Sequence, residues 1–316
     1  MKRLSFLILL VCAAPLPLAT PGFAETIKLV VPFAAGGPVD QLARILASEL
    51  GPQLSADVIV DDRGGAGGAI GSEWVARATP DGKTMLLASL GSQVLSPILK
   101  PPTAYDAVKS FEPVMLVAAV PSLLVASREL GVATMPDLLA KAKAQKLTYG
   151  SAGPGTTMNI AIEMLNVAAG VHITHVPYRG AAPALNDLLG GHVDMVNADL
   201  PVLLPLVNAG SVKPIALFAN ERTPLLPDLP TTKELGLPSV VMENWYGVFL
   251  PAGTAPDLRD KLERALFVVV GLPQVKARFA ESGMHGTLGH ESFAARLDRE
   301  FPEWTEAIRK LGITGE

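Results

Sequence analysis

An apolar run, a glycine turn and a helical period follow one another between residues 27 and 50, and a similar unit returns about 120 residues later. Ile27, Leu29, Val30 and Val31 favour a strand. Ala34, Ala35, Gly36 and Gly37 then form a turn of small residues, after which Val39, Leu42, Ala43, Ile45, Leu46 and Leu50 recur at helical spacing. The second unit passes from a strand at 146–150 through Ser151, Gly153, Gly155, Thr156 and Thr157 into a helix at 158–169. A glycine turn between a strand end and a helix start leaves backbone N–H groups unpaired and pointing the same way, and the helix dipole adds partial positive charge. Such a place suits a carboxylate or a phosphate. Neither turn contains lysine or arginine. Recognition there rests on backbone dipoles and on the hydroxyls of Ser151, Thr156 and Thr157.

Strand-like runs alternate with helical patterns over most of the chain, which predicts α/β folding with parallel sheets covered by helices. Segment 111–125, interrupted by Pro113 and Pro121, reads as two strands joined by a turn. Thr134 is a plausible N-cap with Pro136 in the following first turn. The Pro-rich stretch 223–238 reads as a loop with one short helix, 246–250 as a strand, and 291–311 as a helix with Trp304 on its apolar side. Crossings between two lobes are expected near Pro121 and Trp245. Residues 25–121 with 245–316 then form a first lobe holding both chain ends, and 122–244 an inserted second lobe. Two open sheets joined by two crossings describe a hinged clamshell, with the ligand where the strand carboxyl ends meet.

Residues 1–24 form a predicted secretory leader. Lys2 and Arg3 precede an apolar stretch at 4–11, and Gly22 and Ala24 lie at −3 and −1 of a cut before Glu25. The single cysteine, Cys12, falls inside it, so the mature chain of 292 residues would contain none of the 316-residue chain's thiol chemistry. Loss of Lys2 and Arg3 takes the net charge from −4 to −6. An acidic chain without a basic block argues against nucleic acid and against an anionic membrane surface.

Catalytic and nucleotide motifs are poorly supported. Gly64, Gly65, Gly67, Gly68 and Gly71 never fall at the i, i+2, i+5 spacing of a dinucleotide loop, and Arg77 stands where a Walker loop ending in Gly82-Lys83-Thr84 needs its first glycine. Those glycines suit a tight turn and close packing. No Gly-x-Ser-x-Gly elbow and no His-Glu-x-x-His pair occurs. His172 and His175 are three apart in a strand-like run and point to opposite faces. No cofactor and no metal is expected. Asp40 lies in the first turn of its helix, where the dipole stabilises a carboxylate. Asp199 precedes Leu200-Pro201 and suits either an N-cap or the ordering of a bound water, a ligand hydroxyl or a ligand amine.

The chain resembles the Bug family, the TctC-like periplasmic receptors of tripartite tricarboxylate transporters. The resemblance runs through Pro32-Phe33-Ala34-Ala35-Gly36-Gly37-Pro38-Val39-Asp40, Gly65-Ala66-Gly67-Gly68-Ala69-Ile70-Gly71 and Thr79-Pro80-Asp81-Gly82. It continues through Tyr149-Gly150-Ser151-Ala152-Gly153-Pro154-Gly155-Thr156, His175-Val176-Pro177-Tyr178-Arg179-Gly180, Leu226-Pro227-Asp228-Leu229-Pro230-Thr231 and Pro251-Ala252-Gly253-Thr254. It implies a two-lobed "Venus flytrap" of the type II-like periplasmic-binding-protein architecture, each lobe an open, mostly parallel sheet flanked by helices. It also implies capture of a small carboxylate by the loops at 33–40 and 151–157, partly through ordered waters. Roles in ligand binding then carry over to Phe33, Ala35, Gly37 and Asp40, and to Ser151, Gly155, Thr156 and Thr157, with Asp199 in a loop near the ligand. Ser89, at the end of a first-lobe strand, is a further candidate. The implied partners are the ligand, the integral-membrane permease subunits and, as a second docking partner, a sensor-kinase ectodomain; a monomer is expected. Family members often carry histidine where this chain has Asn159, which bears on ligand choice if that side chain faces the pocket. Two other readings stay open: an exported α/β enzyme acting on a small organic acid, and a receptor without a transporter that serves signalling alone.

Overall fold

The computed structural model describes residues 25–99 and 104–313. The expected leader, with Cys12, lies outside the described residues. Strand β1 (Glu25–Val31) leads into α1 (Pro38–Leu54), then β2 (Ala56–Asp62), α2 (Ala69–Ala76) and β3 (Thr84–Ser89). β1 pairs in parallel with β2 on one side and β3 on the other. Val39, Leu42, Ala43, Leu46 and Leu50 are the apolar residues that α1 buries, as their spacing requires. Each fully buried leucine stabilises the fold by roughly 1.5–3 kcal/mol relative to exposure. The helix ends at Ser55, whose left-handed backbone (φ 53°) returns its N–H to the Gly51 carbonyl. After β3 a π-helical turn (Gly91–Leu95) runs into α3 (Ser96–Leu99).

Next come β4 (Phe111–Ala126), α4 (Met135–Ala144), β5 (Leu147–Ser151), α5 (Thr157–Ala169), β6 (Ile173–Pro177), α6 (Ala181–Leu189), β7 (Met195–Asp199), α7 (Leu200–Asn208) and β8 (Lys213–Phe218). Thr134 does cap α4: its hydroxyl accepts from the Asp137 N–H while the Asp137 carboxylate takes the Thr134 N–H. β5 lies between β6 and β7, parallel to both, so the second unit repeats the arrangement of β2, β1 and β3. The chain closes with β9 (Glu243–Pro251), α8 (Pro256–Gly271), α9 (Pro273–Glu281), β10 (Leu288–Gly289) and α10 (His290–Leu311). Trp304 is half-buried against the cluster of Trp245, Phe249 and Phe293, on the side the sequence predicts.

The two parallel triplets are joined through antiparallel strands. β9 pairs antiparallel with β3 and with the Phe111-to-Pro121 part of β4. From Ser122 to Ala126 the same β4 pairs antiparallel with β7 and β8 instead. One strand therefore serves both sheets, in place of the two strands and turn expected at 111–125. The prolines mark irregularities rather than a turn. Pro113 sits at a register shift, and Pro121 is the last residue paired with β9 before β4 changes neighbours. The return path is equally sharp: Met242 bonds to Phe218 and Ser122 on one side, and Glu243 pairs with Pro121 on the other. Segment 223–238 holds hydrogen-bonded turns and a bridge between Leu217 and Thr231, not the expected short helix. Pro224, Pro227 and Pro230 each remove an N–H that a helix there would need.

Candidate ligand-binding site

Four helix N-termini converge on one cavity. Gly37, Pro38 and Val39 reach it from the start of α1, and Thr156, Thr157 and Met158 from the start of α5. Ala181 opens α6, and Asp199 stands at the N-cap of α7. Phe33, Ser89, Ala152 and Asn244 complete the wall. The first N–H groups of a helix have no intrahelical partner, and the dipole adds about half a positive charge at each such end. In α1 the first intrahelical N–H is that of Gln41, bonded to Gly37. Among the described residues no lysine, arginine or histidine lines the cavity. The positive potential therefore comes from peptide groups, fixed in place and needing no side-chain reorganisation.

Of the sequence-predicted residues, the structure brings together Phe33, Gly37, Ser89, Thr156, Thr157 and Asp199 at the cavity. Ala35 is exposed and does not line it. Asp40 is buried behind the loop. Its Oδ2 accepts the Gly36 N–H at 2.7 Å, and Oδ1 pairs with Arg44 Nε at 2.8 Å, so the carboxylate shapes the turn from within. Ser151 is fully buried, with Oγ accepting from the Gly153 N–H at 3.0 Å and 2.6 Å from His175 Nε2. The His175 ring also stacks on Tyr149, which makes the 175–180 motif a support for the loop. Gly155 shapes the same loop: its N–H donates to Asn159 Oδ1 at 2.9 Å.

Asn159 does not line the cavity. Its Nδ2 donates to the Tyr149 hydroxyl at 2.6 Å, and that hydroxyl bonds to Glu163 Oε1 at 2.5 Å. Burial, with Glu163 alongside, holds the Tyr149 phenol protonated far above its usual range. The chain Gly155–Asn159–Tyr149–Glu163 thus braces the second glycine turn from beneath α5.

Sequence reasoning missed Asn244 and Tyr246. They alternate along β9 and meet Asp199: Asn244 Nδ2 donates to Oδ2 at 2.8 Å, and the Tyr246 hydroxyl donates to the same oxygen. The available sign was Asn244 beside an expected crossing, a polar residue at the head of an apolar strand. Asp199 occupies the N-cap position but makes no side-chain capping bond, and among the described residues its buried Oδ1 has no hydrogen-bond partner. Burial pushes its pKa up to about 6, against the lowering effect of the Tyr246 and Asn244 bonds.

The walls meet closely across the cleft. A Cβ on Gly67 would lie 2.6 Å from the Pro154 carbonyl oxygen, and one on Gly155 2.8 Å from Ser96 Cα. Both glycines also hold positive φ (66° and 81°), so the glycine-rich turn at 64–71 serves close approach between the two halves, not nucleotide binding. The cavity between them is narrow, about 30 Å³.

A sequence model described as tripartite tricarboxylate transporter family receptor, TctC, matches residues 42–313. The chain belongs to the TctC family. The Bordetella pertussis protein BugT is 30% identical over 293 residues, covering 92% of this chain and 90% of that protein. The solved periplasmic binding protein BugD is 35% identical with a TM-score of 0.89, covering 92% of this chain and 99% of that one. Rpa4515 of R. palustris, solved with adipate, is 31% identical with a TM-score of 0.88, covering 92% and 98%. MatC of Rhodopseudomonas palustris, solved with malate, is 31% identical with a TM-score of 0.86, covering 90% and 99%. The two-lobed periplasmic-binding-protein fold of these structures is the fold of this TctC receptor. Among its described residues no cluster of His, Cys, Asp or Glu is arranged to hold a metal ion, and no helix is long and apolar enough to cross a membrane.

Proposed function

We propose that this TctC receptor is exported by its first 24 residues, captures a small carboxylate between its two lobes, and delivers it to the membrane subunits of a tripartite tricarboxylate transporter. The observation that carries the reading is the convergence of four helix N-termini on one cavity without a cationic side chain. Oriented N–H groups hold a carboxylate without a buried counter-charge, which keeps release feasible when the lobes part. Adipate and malate in the related structures are the kind of ligand this field selects. Nothing in the cavity wall supplies a nucleophile activated by a base, so capture rather than conversion is the activity we assign. The lobes are residues 25–121 with 245–316 and residues 122–244, hinged where β4 changes sheets and where β9 begins. Ligand contacts made from both lobes favour the closed state over the open one.

Thermal-shift screening of the mature chain against dicarboxylates, tricarboxylates and aromatic acids tests this. A ligand that binds only the native state raises the unfolding temperature in proportion to ln(1 + [L]/Kd). The reading predicts that at least one acid gives a saturable rise and is recovered chemically unchanged. A flat response to every acid, or turnover of one, would refute it.

A further inference from the structure

The binding of a carboxylate at the helix N-termini leaves one feature of the cavity unexplained. Asp199 lines it, is only 4% exposed, and uses a single oxygen: Oδ2 takes both available donors, Asn244 Nδ2 and the Tyr246 hydroxyl. Oδ1 has no partner among the described residues. Burying a carboxylate oxygen without a donor is costly, so such a group is expected to meet a donor when the site is in use. The Tyr246 hydroxyl gives its one proton to Oδ2, and the Asn244 amide is directed to that same oxygen. The Asn244 Oδ1 is itself occupied by the Trp245 N–H, which fixes the orientation of its amide toward Asp199.

Resting on the carboxylate reading above, we infer that the acid taken by this receptor carries a hydroxyl or an ammonium group on the carbon next to the carboxylate, and that Oδ1 of Asp199 receives its proton. Proximity sets the position of that donor. Gly37, Thr156, Thr157, Ala181 and Asp199 all line the same cavity, so a group on Asp199 lies close to a carboxylate held at the helix starts. A bare methylene there would leave Oδ1 unpaired, and a second carboxylate would be repelled. A hydroxyl and an ammonium share the required chemistry and differ in charge, which separates them experimentally.

Calorimetric titrations of the mature chain at pH 7.5 with three matched sets test the inference: propionate, lactate and alanine; succinate, malate and aspartate; phenylacetate, mandelate and phenylglycine. In whichever set binds, a donor-bearing member is expected to bind roughly tenfold to a hundredfold tighter than the unsubstituted acid. The tighter of the hydroxyl and ammonium members identifies the donor. In Asp199→Asn, shown to be folded by its thermal unfolding, that gap is expected to shrink to about twofold or less. The comparison within the parent protein needs no variant. Equal affinity for the unsubstituted and donor-bearing acids of a set would overturn this inference, with solvent satisfying Oδ1, and leave the carboxylate reading intact. Failure of all nine compounds to bind, alongside a saturable response in the thermal screen only to acids without a hydroxyl or ammonium group beside a carboxylate, would also overturn it. Failure of every acid in both experiments would overturn the underlying reading as well.

Discussion

Asp199 combines burial with two hydrogen bonds on one oxygen and none on the other. Its pKa of about 6 in the folded chain lies about two units above the value in an unfolded one, so the folded state disfavours the ionised form. The penalty is absent below about pH 4, where both states bind the proton, grows as the pH rises toward 6, and is complete above it. At about 1.4 kcal/mol per unit it amounts to roughly 2–3 kcal/mol. The ligand-free Asp199→Asn variant is therefore expected to be more stable than the parent at pH 7.5, by about 1–3 kcal/mol, with the difference shrinking toward zero near pH 4. Urea unfolding at both pH values measures this, and a difference that does not change with pH would contradict it. Asn159 acts in the opposite sense. Asn159→Ala leaves the Gly155 N–H and the Tyr149 hydroxyl without their partner, and is expected to destabilise the chain by about 1–3 kcal/mol. Ligand affinity should fall as well, because the turn it braces loses its shape; unaltered stability in denaturant titration would refute that role.

Among the elements, the two strand–turn–helix units do most to place the site, and their chemistry was open to reading in the sequence. The periodicity of Val39, Leu42, Leu46 and Leu50 located α1, and the glycines before it located the anion-friendly turn. Which side chains face the cavity was not open to such reading. Asp40 and Ser151 sit at the two glycine turns, yet their polar atoms bond within the protein, Asp40 to Gly36 and Arg44 and Ser151 to Gly153 and His175, which spacing does not reveal. In the sequence the two prolines suggest a turn, whereas β4 tolerates Pro113 at a bulge and Pro121 where its neighbours change. The glycines at 64–71 carry their own prediction. Gly67→Val places branched carbon where Cβ alone would meet the Pro154 carbonyl at 2.6 Å. Closure should be obstructed, weakening ligand binding at least roughly tenfold, while residues on the far side of each sheet keep their hydrogen-exchange protection. Unchanged affinity would show that the two turns need not meet for capture.

At the level of the whole molecule, β4 is the strand that both sheets share, its first part paired with β9 and its last with β7 and β8. Both the two-sheet plan and its family were legible, since they follow from alternating strands and helices and from blocks spread along the chain. Asn244 and Tyr246 were not, because their contact with Asp199 arises only when β9 folds beside β4 and brings residues 45 and 47 positions apart together. In the proposed mode of capture, peptide dipoles from both lobes, not cationic side chains, hold an anionic carboxylate. It is tested most directly by calorimetric titration of the mature chain with the best acid from the thermal screen and with its uncharged primary amide. Saturable binding of the acid is expected, with a loss of at least roughly a hundredfold for the amide. Equal affinity for the two would contradict it.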